Sequence, residues 1–249
     1  MEKVEAIDLM EAGLRAMGTA ERAAGEKKYL KSELDFLGAT VGDTRRVVHA
    51  FSKEHPGLSH DELVDLVEGL WDSPVFERKM AAVMLLQKRV DQLGVEDLRV
   101  AEHFIRTSKT WALVDPLAVD IVGQILRLDN RVTRTLDRWA RDGDFWVRRS
   151  ALLAHLKGLR TGEGLERFTA YADTMLEQKE FFIRKAIGWV LREAGKKRPE
   201  DVAAWLGPRT HRASGVTMRE AVKYLSAKDS ERLLTAYRDR RPADSPHES

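Results

Sequence analysis

Trp111 and Asp115 stand four residues apart in SKTWALVDPLAVD, a run otherwise rich in Leu, Val and Ala. On a helix that spacing puts an indole and a carboxylate on one face. Two readings fit an acid there, a helix cap and a catalytic carboxylate. Asp directly before a proline is pushed out of helical geometry, and Asp at N-cap with Pro at the first helical position is a common helix start. On that reading SKTW ends one helix and Asp115 caps the next. The readings are compatible, because a carboxylate at a helix N-terminus accepts backbone N–H bonds and is kept ionised.

A second aromatic with chemical neighbours is Trp189, in EFFIRKAIGWVLRE. On a helical wheel Phe182, Ile183, Ala186, Ile187, Val190 and Leu191 form an apolar arc, flanked by a basic stripe of Lys185, Arg192 and Lys196. Trp189 falls at the border between them. This suits stacking on a base or sugar beside phosphate contacts, or a core-edge tryptophan under Lys and Arg stems. Arg148 and Arg149 form one of several basic pairs, with Arg78-Lys79 and Arg184-Lys185. Such pairs either project a row of cations or decorate a solvated surface. Trp71, Trp139 and Trp205 read as core anchors.

Other chemistries lack their residues. The chain has no cysteine, which excludes disulfides, thiolate metal sites and cysteine nucleophiles. His49, His55 and His60 lack HExxH or HxxxH spacing, and no GxSxG, P-loop or GxGxxG occurs. Neither a metal nor a cofactor is expected.

The elements that must carry these residues read as helices. Apolar residues recur at helical spacing in Glu62–Trp71, Ala81–Val90, Ala151–Leu156 and Ala186–Leu191, without strand-like alternation. Ser73-Pro74 reads as N-cap and first helical residue, and Asp144 as the cap of a run that Gly158 ends. Phe76, Trp111, Trp146 and Phe182 recur at spacings of 35, 35 and 36 residues. The text around three of them is alike: Phe76-Glu-Arg-Lys, Trp146-Val-Arg-Arg and Phe182-Ile-Arg-Lys. A weaker copy begins near Thr217. Such a period in a helical chain predicts an all-α, HEAT-like helical-repeat solenoid, an α-α superhelix whose concave face binds. In this register Asp115 falls where the other copies have Met80, Ser150, Ala186 and Ala221. Asp115 breaks the rule of its own repeat, and functional sites are expected where local rules break.

The chain has 249 residues, with 43% apolar and 33% charged, enough for a sizeable core and for helices with one wet face. One repeat domain over residues 1–240 is expected, with 241–249 a disordered tail. The net charge is only +2, but residues 184–223 hold ten basic against four acidic side chains, a footprint that attracts polyanions. No apolar run approaches a membrane span, and the acidic, amphipathic N-terminus lacks the features of a secretory signal. A monomeric cytoplasmic protein without membrane contact is expected.

LDFLGATVGDTRRVV, LWDSPVFERKMAAVMLLQK, SKTWALVDPLAVDIVG, WARDGDFWVRRSALLAHLK and QKEFFIRKAIGWVLREAGKKRPEDV occur in that order between about Tyr29 and Leu225. Together they resemble the AlkD-type DNA alkylation-repair proteins, HEAT-like glycosylases that excise cationic alkylated purines. The resemblance implies that Trp111, Asp115, Arg149 and Trp189 are the catalytic residues. It implies DNA contacts from Arg148, Arg192, Lys196, Lys185, Arg46 and Tyr29. Pro116 departs from the family pattern. The implied partner is double-stranded DNA containing alkylated bases. The implied reaction is base excision from N3- or N7-alkylated purines, with Asp115 stabilising the deoxyribosyl oxocarbenium ion. Two alternatives stand beside it, a non-catalytic paralogue binding branched or distorted DNA, and a helical-repeat scaffold for another protein. Retention of both tryptophans, the aspartate and the arginine argues against the first, and the basic C-terminal third against the second.

Overall fold

In the computed structural model, which describes residues 2–239, several helix starts are written in short polar side chains. The first compact unit ends at Arg134 and the second begins at Thr135. In the first, α1 (Lys3–Met17) and α2 (Ala20–Leu30) precede α3 (Val41–Glu54) and α4 (His60–Trp71). Then come α5 (Phe76–Lys88), α6 (Leu98–Thr107), α7 (Trp111–Pro116) and α8 (Gly123–Leu128). Thr40 with Asp43, and Ser59 with Glu62, close reciprocal capping boxes on α3 and α4, each satisfying two amide donors that a helix start leaves open. The start of α5 departs from the expected Ser73 cap. Val75 precedes the helix, Ser73 Oγ accepts only the Val75 N–H at 3.2 Å, and the Phe76 N–H finds the Asp35 carbonyl at 2.8 Å. Among the described residues no strand forms, only an isolated parallel bridge between Asp35 and Val75.

After α9 (Val132–Trp139), the second unit contains α10 (Phe145–Leu153), α11 (Leu156–Leu159), α12 (Leu165–Met175) and α13 (Phe181–Gly195). It ends with α14 (Pro199–Leu206), α15 (Gly215–Ala221) and α16 (Ala227–Arg238). Asp144 caps α10 as expected, accepting the Trp146 N–H at 2.7 Å. Gly158 does not end the run; the break falls at Ala154 and His155, and Gly158 lies within α11. The 241–249 segment lies outside the described residues.

The repeat register is visible in the helices. Phe76 and Trp111 are the first residues of α5 and α7, and Trp146 and Phe182 the second residues of α10 and α13. Four residues on, Met80, Ser150, Ala186 and Ala221 are buried, and Asp115 is half-buried. The chain is all-α and built of helical repeats. Of the expected core anchors, Trp71 and Trp139 are buried at 2% and 0% exposure. Trp205 is half-buried, with the Arg209 guanidinium 4.8 Å from its ring centre.

The leading arginine of each basic pair is turned into the fold. Arg78 donates to the Gly69 carbonyl at 3.0 Å, Arg148 to the Asp142 and Gly143 carbonyls at 2.6 and 2.9 Å, and Arg184 to the Gln178 carbonyl at 2.8 Å. Each ties its helix to the chain leading into it. The next residue of two pairs is buried as well. Lys79 donates to the Trp71 carbonyl at 2.6 Å and lies over that indole at 4.3 Å, and burial pushes its ammonium down to about 8.

Candidate functional site

The first unit brings Trp111, Asp115 and Tyr29 to one place. Thr110, not Asp115, caps α7: its hydroxyl accepts the Ala112 N–H at 3.3 Å. The preceding Lys109 has φ 57, which makes the sharp turn out of α6. Asp115 therefore sits inside the helix, one turn beyond Trp111 on the same face, and both are half-buried. The expectation that Asp115 caps a second helix is corrected, because the chain stays helical through Pro116 (φ −65, ψ −34) and Leu117. Pro116 has no N–H for the Ala112 carbonyl. Directly after it, Leu117–Val122 forms a π-helical turn before α8 continues the same rod.

Tyr29 projects from the end of α2, 72% exposed, with its ring centre 6.2 Å from that of Trp111 and the planes at 80°. None of the residues of α2 is buried. The helix is held through the segment that follows it. Fully buried Glu77 accepts the Leu37 and Gly38 N–H groups at 2.9 and 2.7 Å. Gly38, at φ 84, lies where a Cβ would overlap the Thr19 carbonyl and the Ala23 nitrogen at the start of α2. Burial, with Glu77 nearby, raises the pKa of Glu26 on α2. Arg46 is paired with Asp43 within α3 and its side chain is 71% exposed.

The second unit holds the remaining candidates. Trp189 is half-buried on α13, and Lys185, Arg192 and Lys196 share its side of the helix. Gly188 makes room for α15: a Cβ there would meet the Thr217 Cα and carbonyl oxygen at 3.1 Å and the Glu220 Cβ at 2.8 Å. Lys185 is exposed, 5.8 Å from the Phe181 ring. Arg192 pairs with Glu220 at 2.6 Å, and Lys196 with Glu193 at 2.8 Å and the Tyr224 ring at 4.8 Å. A hydrogen bond from Lys223, with Arg192 nearby, holds the Glu220 carboxyl below its usual range. Lys196 keeps 40% of its side chain exposed and Arg192 27%.

Arg149, implied as a catalytic residue, and Arg148, implied as a DNA contact, both have hydrogen-bond partners within the second unit. Arg149 is 3% exposed, donates to the Phe182 carbonyl at 2.5 Å and lies 5.7 Å from that ring. Arg148, 11% exposed at its side chain, also pairs with Glu180 at 2.8 Å and Gln178 at 3.1 Å. Their guanidinium groups are committed to joining one repeat to the next.

Sequence patterns missed the π turn and the Gln87–Asp120 hydrogen bond of 2.8 Å beside it. A signal was present. Leu113, Leu117, Ile121 and Ile125 recur every four residues, a longer period than the 3.6 of an α-helix. Among the described residues no cluster of His, Asp or Glu could hold a metal, and no helix is long and apolar enough to cross a membrane.

The first unit thus carries an aromatic–carboxylate pair on one helix face, and the second a tryptophan edged with cations. The family model for DNA alkylation repair enzymes matches residues 10–225, and the chain belongs to that family. A structure described as a predicted DNA alkylation repair enzyme from Enterococcus faecalis has TM-score 0.77 and 24% identity, covering 85% of this chain and 98% of that one. AlkD2 from Streptococcus mutans gives TM-score 0.66 at 14% identity over 91% and 100% of the two chains. The smu.31 protein of Streptococcus mutans UA159 gives 0.58 at 15%, over 83% and 98%. At these identities the likeness is one of fold. No curated protein matches the sequence.

Proposed function

We propose that this protein is a DNA glycosylase that releases cationic N3- and N7-alkylated purines, such as 3-methyladenine and 7-methylguanine, from double-stranded DNA. The observation that carries the reading is the helix face of α7, where Trp111 and Asp115 lie one turn apart, half-buried, with Tyr29 against the indole. An alkylated purine already carries positive charge, so its bond to C1′ breaks with the electron pair leaving on the base, which departs neutral. The deoxyribosyl group is left as an oxocarbenium ion. A carboxylate beside C1′ stabilises that charge as it develops and orients the water that adds to C1′, whose proton it accepts. The faces of Trp111 and Trp189 suit cationic and sugar surfaces. Lys185, Arg192 and Lys196 supply phosphate contacts from α13, and Arg46 from α3. Arg148 and Arg149 act through the fold of the second unit, holding the repeat that carries Phe182. Neither metal nor cofactor takes part. This activity belongs with the chromosome, in the cytoplasm.

The test is release of 7-methylguanine and 3-methyladenine from methylated duplex DNA by the parent protein and by Asp115→Asn. Release should fall at least about a hundredfold in the variant, the order lost when one transition-state stabiliser is removed, with DNA affinity kept. Undiminished release by Asp115→Asn would remove the catalytic assignment. Tight, salt-sensitive DNA binding by a parent protein that releases nothing would leave a DNA-binding paralogue in its place.

A further inference from the structure

The rod that carries Asp115 is continuous from Trp111 to Leu128, but its middle is wound more loosely than its ends. The Gly123 N–H reaches back to the Ala118 carbonyl, five residues earlier, so this turn holds one residue more than an α turn. The sequence demands the wide turn. Leu113, Val114, Leu117, Ala118, Ile121, Val122 and Ile125 are each at most 1% exposed. They make two columns repeating every four residues. In an α-helix each such step drifts by about 40°, so the column would turn by roughly 120° between Leu113 and Ile125. Part of it would then leave the core. One wide turn removes most of that drift. Pro116 marks where it begins, because the α-helical bond to the Ala112 carbonyl is already missing there.

Asp115 lies immediately upstream of this turn and Asp120 lies within it. Asp120 Oδ2 accepts a hydrogen bond from Gln87 Nε2 of α5 at 2.8 Å, and Gln87 is half-buried. That bond ties the wide turn to a neighbouring helix. If the turn closed up to α spacing, the face carrying Trp111 and Asp115 would rotate by about 100°, one residue's worth, relative to the rod beyond it. Single π turns inside α-helices recur at functional sites, and here the turn sets the heading of a carboxylate.

We infer that Gln87 and Asp120 are positioning residues for Asp115, acting through the π turn between Pro116 and Gly123. This rests on the proposed catalytic role of Asp115, and it deepens that role by naming what aims the carboxylate. Neither residue need touch DNA.

The experiment compares Gln87→Met, which keeps size and charge but removes the donor, with the double variant Gln87→Glu/Asp120→Asn. The double variant exchanges acceptor and donor at unchanged net charge. Gln87→Met should slow single-turnover release of 7-methylguanine by about 10- to 100-fold, the scale set by a misplacement of about 1 Å. Its DNA dissociation constant should stay within about twofold of the parent, since phosphate contacts are untouched. Backbone amides 121–123 should exchange hydrogen faster, and the double variant should restore both rate and protection. A parental release rate in Gln87→Met, where Asp115→Asn is inactive, would overturn the inference and leave the glycosylase reading intact. Failure of the exchanged pair to restore a defective Gln87→Met would overturn it too, as would unchanged amide exchange. Parental release by Asp115→Asn would instead defeat the catalytic reading itself.

Discussion

The rings of Tyr29 and Trp111 meet at 80° with their centres 6.2 Å apart, joining the end of α2 to the start of α7. The contact is made by a helix that buries none of its own residues. A polar helix of this kind contributes little to a core. The Thr19 cap and the Glu77-held segment through Gly38 keep it in place.

The first prediction follows from that exposure. Tyr29→Ala should lower the unfolding free energy by no more than about 1 kcal/mol, the scale of an exposed edge-to-face pair. Release of 7-methylguanine should fall by a larger factor than DNA affinity, and Tyr29→Phe should keep both. Denaturant unfolding beside single-turnover release checks this. A stability loss of several kcal/mol would mean that Tyr29 serves the fold instead.

The helical repeat and the odd position of Asp115 were readable from spacing, because an aromatic and an apolar residue recur wherever one repeat packs on the next. Phe76, Trp111, Trp146 and Phe182 all begin helices for that reason. The fate of the cations was not readable. Whether Arg148 reaches solvent or folds back to the Asp142 carbonyl depends on where the preceding loop runs, and loop paths leave little mark on helical periodicity. The Asp115-Pro116 pair misled for a different reason. A proline after aspartate usually marks a helix start, and here the four-residue apolar columns continue the helix and hold the proline inside it.

Arg148 and Lys196 should separate under mutation, although both are cations implied as DNA contacts. Arg148→Ala removes the mostly buried donor that the Asp142 and Gly143 carbonyls share and that pairs with the partly exposed Glu180 carboxylate. It should cost roughly 3 kcal/mol of stability, as for a mostly buried paired charge, and leave the salt dependence of DNA binding unchanged. Lys196→Ala should cost little stability. It should reduce the slope of log affinity against log salt by about one, the signature of one lost phosphate contact. Binding titrations at several salt concentrations distinguish the two, and a reduced slope for Arg148→Ala would contradict its structural assignment.

Gly188 is the point where α13 and α15 approach closely, next to Trp189 in sequence. A methyl group there would press on the Thr217 backbone at 3.1 Å and on the Glu220 Cβ at 2.8 Å, and backbone cannot move aside as a flexible side chain can. Gly188→Ala should therefore destabilise by roughly 1–3 kcal/mol, despite the helix propensity that alanine adds. The same shift should disturb the Arg192–Glu220 pair and weaken DNA binding. A melting temperature at or above that of the parent would show that the helices do not meet this tightly.

Stability in mild acid should depend on His155, on the short stretch between α10 and α11. It is 3% exposed, lies 5.5 Å from the Tyr171 ring and 6.5 Å from that of Phe168, and its Nε2 has no partner. Burial, with the Arg167 charge adding to it, pushes the imidazole down to about 4 from an ordinary 6.5. The unfolded chain thus binds a proton that the folded one refuses between those two values. Stability from this residue is fully present above about pH 6.5 and is lost as pH falls towards 4, by about 3 kcal/mol in total. Denaturant unfolding at pH 7 and at about pH 4.5 should show His155→Leu losing roughly 2.5 kcal/mol less than the parent over that interval. The contrast isolates His155 from Asp137 and Asp173, which hydrogen bonds from Tyr171 and Arg209 hold below their usual range and whose losses are common to both proteins. Equal acid losses in parent and variant would mean that the buried imidazole takes up its proton without cost to the fold.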